Sequence, residues 1–196
     1  MIVIGISGQT GAGKSTLADQ LNKLKNWRNL EVDALGHELL KQPSTISSLV
    51  KAFGNDILTK SGIDRKKLGA KAFVSSEATE KLNSIMHPSM VEMVKKIIED
   101  EKANGSTGII INAALLYKMK LNVLCDRIIY VKADAEVRLA RLMENRGWTE
   151  QRARERLFSQ DQEPNNDSKA IIVENNSDTD TFFKQIEKIS EELCRL

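Results

Sequence analysis

The sequence has little cysteine, no charge excess of one sign and no long hydrophobic run. Only two cysteines, Cys125 and Cys194, occur among the 196 residues. Neither forms a Cys-x-x-Cys pair or stands beside a histidine at zinc-ligand spacing, which excludes a disulfide-stapled or zinc-ribbon chain. They read as reduced thiols in a cytoplasmic setting. No stretch approaches the roughly 18 consecutive apolar residues that a membrane helix needs. The opening MIVIGISGQTGAGK has neither a basic leader nor a small-residue cleavage site, so neither membrane insertion nor secretion is expected. Lys and Arg number 29 against 27 Asp and Glu, a net charge of +2, which leaves no footprint for sequence-independent nucleic-acid binding. There is no internal repeat and no low-complexity tract. With 41% hydrophobic and 29% charged residues, the chain is neither disordered nor fibrous.

Five short apolar runs rich in β-branched residues are present, at 2–6, 30–32, 108–111, 127–131 and 170–173. Most are continuous rather than alternating, the pattern of parallel strands covered on both faces. Helical patterns separate them, as crossover connections between parallel strands require. The expected class is therefore α/β, a three-layer arrangement around a five-stranded parallel sheet.

The runs are unevenly spaced, which points to insertions in one domain. The core is assigned to 1–35, 105–135 and 164–196, with a helical insertion at 36–104 and a second insertion at 136–163. In the first insertion Ile46, Leu49, Val50 and Phe53 share a helical face, as do Leu82, Ile85 and Met86. His87-Pro88 places proline at a plausible first helical position, before the stripe Met90, Val91, Val94, Ile97 and Ile98. The last segment, 181–196, carries Phe183, Ile186, Ile189 and Leu193 at helical spacing.

The strongest motif is Gly8-Gln-Thr-Gly-Ala-Gly13-Lys14-Ser15, after the first strand and before a helical pattern from Thr16. It fits the phosphate-binding loop in full. Glycines let successive backbone N–H groups curl inward around a phosphate, and the helix start adds its positive dipole end. The loop is an anion cup, and nucleotide binding is expected. Lys14 reaches the β- and γ-phosphates, and the Ser15 hydroxyl is a Mg²⁺ ligand.

Leu30-Glu-Val-Asp33 puts a carboxylate at the end of the second strand, in the crevice where open parallel sheets bind ligands. There Asp33 could orient an acceptor hydroxyl and take its proton; a turn or helix cap is the plainer use of the same residue. Asp33-Ala-Leu-Gly36 also matches the D-x-x-G of GTPase switches. No N-K-x-D segment follows, so a small-molecule kinase is preferred. The second insertion holds six arginines, at 138, 141, 146, 152, 154 and 156, six acidic residues and no lysine. Planar guanidinium groups suit phosphate oxygens, and Arg138 and Arg141 could face them together. A salt-bridged, solvated pair of helices is the competing reading.

Taken together, the chain resembles the dephospho-coenzyme A kinase family over nearly its full length. The residues that carry the resemblance are 8–16; Val32-Asp33 with His37; Phe53-Gly54; Gly62-Ile-Asp-Arg65-Lys-Lys-Leu68 and Phe73; Leu82-Asn-Ser-Ile-Met-His87-Pro88; Ala114-Leu-Leu116; Cys125-Asp126; Arg141, Arg156 and Gln160; and Asn175. The resemblance implies transfer of the ATP γ-phosphoryl group to the ribose 3′-hydroxyl of dephospho-CoA. It implies Asp33 as the base, Gly11, Ala12, Gly13, Lys14, Ser15 and Thr16 as the ATP phosphate site, Arg141 as a lid arginine on the transferring group, Arg65, His87 and His37 in an acceptor subdomain, and Asn175 near the adenine. The 136–163 insertion would be a mobile lid that excludes water.

The sequence departs from the family pattern at Leu35, where an aspartate is common, at Lys118 in place of a glutamate, at Asn145 in place of a lid arginine, and at Arg138 in place of a glutamine. A kinase for another small acceptor, such as a nucleotide or sugar acid, and a non-catalytic ATP-sensing module are the alternative readings.

Overall fold

The computed structural model describes residues 1–158 and 167–193. The chain divides into two compact units, one made of Met1–Glu31 with Ile98–Leu196 and the other of Val32–Ile97.

The first unit is built on five parallel strands: β1 (Ile2–Gly8), β2 (Arg28–Glu31), β5 (Gly108–Asn112), β6 (Arg127–Lys132) and β7 (Ala170–Glu174). Their order across the sheet is β2-β5-β1-β6-β7. β1 is central, paired with β5 through Ile4 and Ile110 and with β6 through Ile6 and Ile129. From β1 the chain passes to the edge strand β2, returns to β5 between them and then crosses to β6 and β7 on the other side, so the topological switch point lies at the carboxyl end of β1.

Both faces of this sheet are covered, which is why its strands read as apolar runs. All five residues of β5 are buried. On one face Ile4, Ile6, Ile110, Ile129 and Val131 pack against Leu17 and Leu21 of α1 (Lys14–Lys25) and Phe182 and Ile186 of α8 (Thr179–Leu193). Trp27 closes the end of this core, its ring over Gly108 where any Cβ would overlap it, and its indole N–H donates to Thr107 Oγ1 at 3.0 Å. On the other face Gly5 makes room for Cys125, whose Sγ would lie 2.8 Å from a Cβ at that position. The Asp126 carboxylate accepts the Val3 N–H at 2.8 Å, so Cys125-Asp126 fills and ties the central sheet.

α6 (Ala135–Arg146) and α7 (Glu150–Phe158) follow β6. They share a small core of Leu139, Leu142 and Ala153, against which Trp148 packs. Arg146 and Arg152 lie over the Trp148 ring at 5.4 and 4.6 Å from its centroid. The expected lid, 136–163, ends outside the described residues, and Gln160 lies there too.

The second unit holds α2 (Val32–Leu39), α3 (Pro43–Phe53), a short hairpin of β3 (Leu58–Thr59) and β4 (Gly62–Ile63), α4 (Arg65–Ala72) and most of α5 (Ser76–Ala103), whose last turns belong to the first unit. Two expectations are corrected here. The second strand ends at Glu31, and Val32 already opens α2. Pro88 does not start a helix but lies inside the 28-residue α5. Proline removes the hydrogen bond to the Ser84 carbonyl. Both residues are exposed, so water can satisfy that carbonyl while Met86, Met90 and Val94 continue one buried stripe across the proline.

Candidate active site

The loop between β1 and α1 is shaped by backbone geometry. Gly11 and Gly13 have φ of 79° and 107°, conformations that side chains rarely adopt. A Cβ on Gly11 would lie 3.0 Å from the Arg138 carbonyl, so the loop packs directly on α6. α1 starts with Leu17 N–H donating to Gly13 O at 3.0 Å. No side chain caps this start, and its first turn has no acidic residue. The first amides of a helix have no partner within it, so this terminus favours an anion. The Lys14 ammonium donates to Gly8 O at 2.8 Å and Gln9 O at 3.1 Å, which curls the loop around it. Ser15 and Thr16 are exposed.

The two arginines grouped by their spacing separate in the structure. Arg138 is 7% exposed, and its Nε donates to the Ala133 carbonyl at 2.9 Å. Its Nη1 has no partner among the described residues, and burial lowers the guanidinium's hold on its proton. Arg141 instead reaches residue 175: Nη1 donates to Asn175 O at 2.9 Å and Nη2 to Asn175 Oδ1 at 3.2 Å. Asn175 Nδ2 in turn donates to Ala12 O at 2.8 Å. Thus the phosphate loop, Arg141 and Asn175 form one hydrogen-bonded group within the first unit. Their spacing along the chain carries no trace of it.

Cys125 takes no part in chemistry here. Burial pushes its thiol up to about 12, so it stays protonated and inert. Lys118 is exposed.

In the second unit Asp33 is exposed in the first turn of α2, where a carboxylate complements the helix dipole. Leu35, at the position where an aspartate is common, is buried and serves the core. His37, in the last turn of α2, meets Arg65: Arg65 Nη2 lies 2.7 Å from His37 Nε2. A guanidinium only donates, so His37 accepts through that nitrogen. Arg65 is placed by Asp64, whose carboxylate caps α4 by accepting the Lys66 and Lys67 N–H groups at 2.9 and 3.1 Å. The run from Gly62 to Leu68 thus encodes a positive-φ turn at 116°, a cap, an outward arginine and a buried leucine. Phe53-Gly54 ends α3, and the Lys71 ammonium donates to Phe53 O and to Asp56 Oδ1, each at 2.6 Å. His87 is half-buried within α5.

Comparison with known proteins places the chain among relatives of one family. The family model described as dephospho-CoA kinase matches residues 2–181. The chain is 32% identical to the dephospho-CoA kinase of Fusobacterium nucleatum subsp. nucleatum, covering 97% of this chain and 98% of that protein. It is 34% identical to the dephospho-CoA kinase of Corynebacterium efficiens, covering 98% of each. The crystallised dephospho-CoA kinase from Campylobacter jejuni superposes with a TM-score of 0.66 at 20% identity, over 97% of this chain and 96% of that one, which is a likeness of fold.

Proposed function

The chain belongs to the dephospho-CoA kinase family, and we propose on that footing that it moves the γ-phosphoryl group of ATP to the ribose 3′-hydroxyl of dephospho-CoA, releasing ADP and coenzyme A. The observation that carries this reading is the uncapped start of α1 behind a loop whose glycines take positive φ. That start is a cup for phosphate.

In this reading Lys14 exchanges the carbonyls of Gly8 and Gln9 for the β- and γ-phosphate oxygens. Arg141 spreads charge on the transferring group; its bonds to Asn175 use two of its five N–H donors. Asp33 orients the acceptor hydroxyl and receives its proton late, because phosphoryl transfer proceeds through a loose transition state. Arg65, His37 and His87 bind the acceptor. α6 and α7 close over the substrates and keep water from competing for the phosphoryl group. The enzyme works in the cytoplasm, a setting in keeping with its buried, protonated Cys125.

Magnesium fits the donors available. Ser15 offers a hard hydroxyl oxygen at the helix start, the kind of ligand Mg²⁺ takes together with phosphate oxygens and water. Among the described residues no group of three or more His, Cys, Asp or Glu could hold a metal, so the ion would arrive with the triphosphate. When bound, it would neutralise phosphate charge.

A coupled ADP assay comparing dephospho-CoA with AMP, CMP and adenosine tests the acceptor, with Asp33→Asn as the companion variant. Turnover on dephospho-CoA alone is expected, and Asp33→Asn should lower it by about 10²-fold or more. Turnover on another acceptor in preference would overturn the substrate, and near-normal activity of the variant would overturn the base.

A further inference from the structure

We propose that Asn175 is a positioning residue that braces the phosphate loop for the triphosphate, and that it does not read the adenine base. The inference rests on the kinase reading above. Asn175 is 5% exposed and follows β7 directly. Its backbone N–H donates to Lys132 O at 2.8 Å, which anchors it to the end of β6. Its carbonyl and Oδ1 both accept from Arg141, and Nδ2 donates to Ala12 O.

The side-chain amide is therefore engaged by the protein at both ends, and the N–H and lone pair it has left sit on a residue only 5% exposed. Turning it over would set NH₂ against the Arg141 donors and oxygen against the Ala12 carbonyl, so its orientation is fixed by repulsion as well as attraction. A base reader would have to present one of those ends to the base, whereas both face the loop and Arg141 on a buried residue.

The bond to Ala12 has a directional consequence. A trans peptide is planar, with its C=O and N–H pointing in opposite directions. Pinning the Ala12 carbonyl to buried Asn175 turns the Gly13 N–H the other way, toward the face where a phosphate oxygen can accept it. Gly13 must be glycine for the same reason: a Cβ there would overlap Asn175 Nδ2. Arg141, from α6, holds the brace in place, so α6 is tied to the loop through Asn175 as well as through its packing on Gly11.

The test is equilibrium binding of MgATP, MgGTP and inorganic tripolyphosphate to the full chain, alongside the dephospho-CoA KM. Asn175→Asp keeps an acceptor for Arg141 but faces Ala12 O with a second oxygen. It should weaken all three phosphate ligands by a common factor on the order of tenfold, leaving the ATP-to-GTP preference and the dephospho-CoA KM unchanged. If that variant does not fold, Asn175→Ala must give the same parallel loss.

A changed ATP-to-GTP preference with unaltered tripolyphosphate binding would make Asn175 a base reader and overturn the proposal. A dephospho-CoA KM that rises in step with the phosphate ligands would mark general structural damage and overturn it too. A wild-type chain that binds none of the three ligands would overturn the kinase reading, and this inference with it.

Discussion

The phosphate loop and the Arg65–His37 pair rest on opposite kinds of support. The loop is backbone fixed in place: positive-φ glycines, a helix terminus, and the side chain of a buried asparagine bonded to the Ala12 carbonyl. The pair is two exposed side chains joined by one contact, with the helix cap of Asp64 as its nearest anchor. A preorganised backbone loses little freedom on binding, whereas long exposed side chains must be ordered by the ligand they hold. In the proposed function, the difference means that nucleotide capture would be built in before ATP arrives, while acceptor recognition would be completed by the acceptor.

The largest effect expected from breaking this contrast is at Gly13. Gly13→Ala places a Cβ against Asn175 at a φ of 107°, strain that should weaken ATP binding on the order of a hundredfold. Calorimetry with ATP and with dephospho-CoA checks this: acceptor binding should stay near normal, and an equal loss for both ligands would erase the distinction between the two supports.

Arg65→Ala comes next. We expect the acceptor KM to rise about tenfold with the ATP KM unchanged, and Arg65→Lys to recover only part, since a lysine lacks the planar fork. Steady-state kinetics with each substrate varied decides it, and a rise in the ATP KM instead would move Arg65 to the nucleotide side.

The smallest effect is alkaline. Burial pushes the Cys125 thiol and the Tyr117 phenol each up to about 12. Raised acidic groups keep their protons longer in the folded chain than in the unfolded one. Their contribution is therefore intact below the unfolded values near 9 and 10 and is lost as pH rises toward about 12. Urea unfolding from pH 8 to 11 should show stability falling above about pH 9, less steeply in Cys125→Ala. An unchanged slope in that variant would remove Cys125 as a source.

Much of the fold was legible in the sequence because its signals are local. The apolar runs of a sheet covered on both faces mark β1, β5 and β6 by composition alone. The hairpin of β3 and β4 was not legible, since two residues per strand give no periodicity to read. Pro88 misled because the rule that proline starts helices is statistical, whereas its tolerance inside α5 depends on which side faces water. At the site, Lys14 and the glycines were visible as a contiguous motif. The roles of Arg138 and Arg141 were not: three residues apart on one helix, one is buried on the Ala133 carbonyl and the other holds Asn175.

By itself, the amino-acid order determined the phosphate cup and the family, because a glycine loop opening a helix is a property of consecutive backbone units. It also determined the parallel sheet, through the composition of its strands. Only the tertiary structure decided that Asn175 meets Ala12 across 163 positions of chain and that Arg65 meets His37 across 28. Hydrogen bonds between distant residues depend on how helices and strands pack, and no local pattern records that.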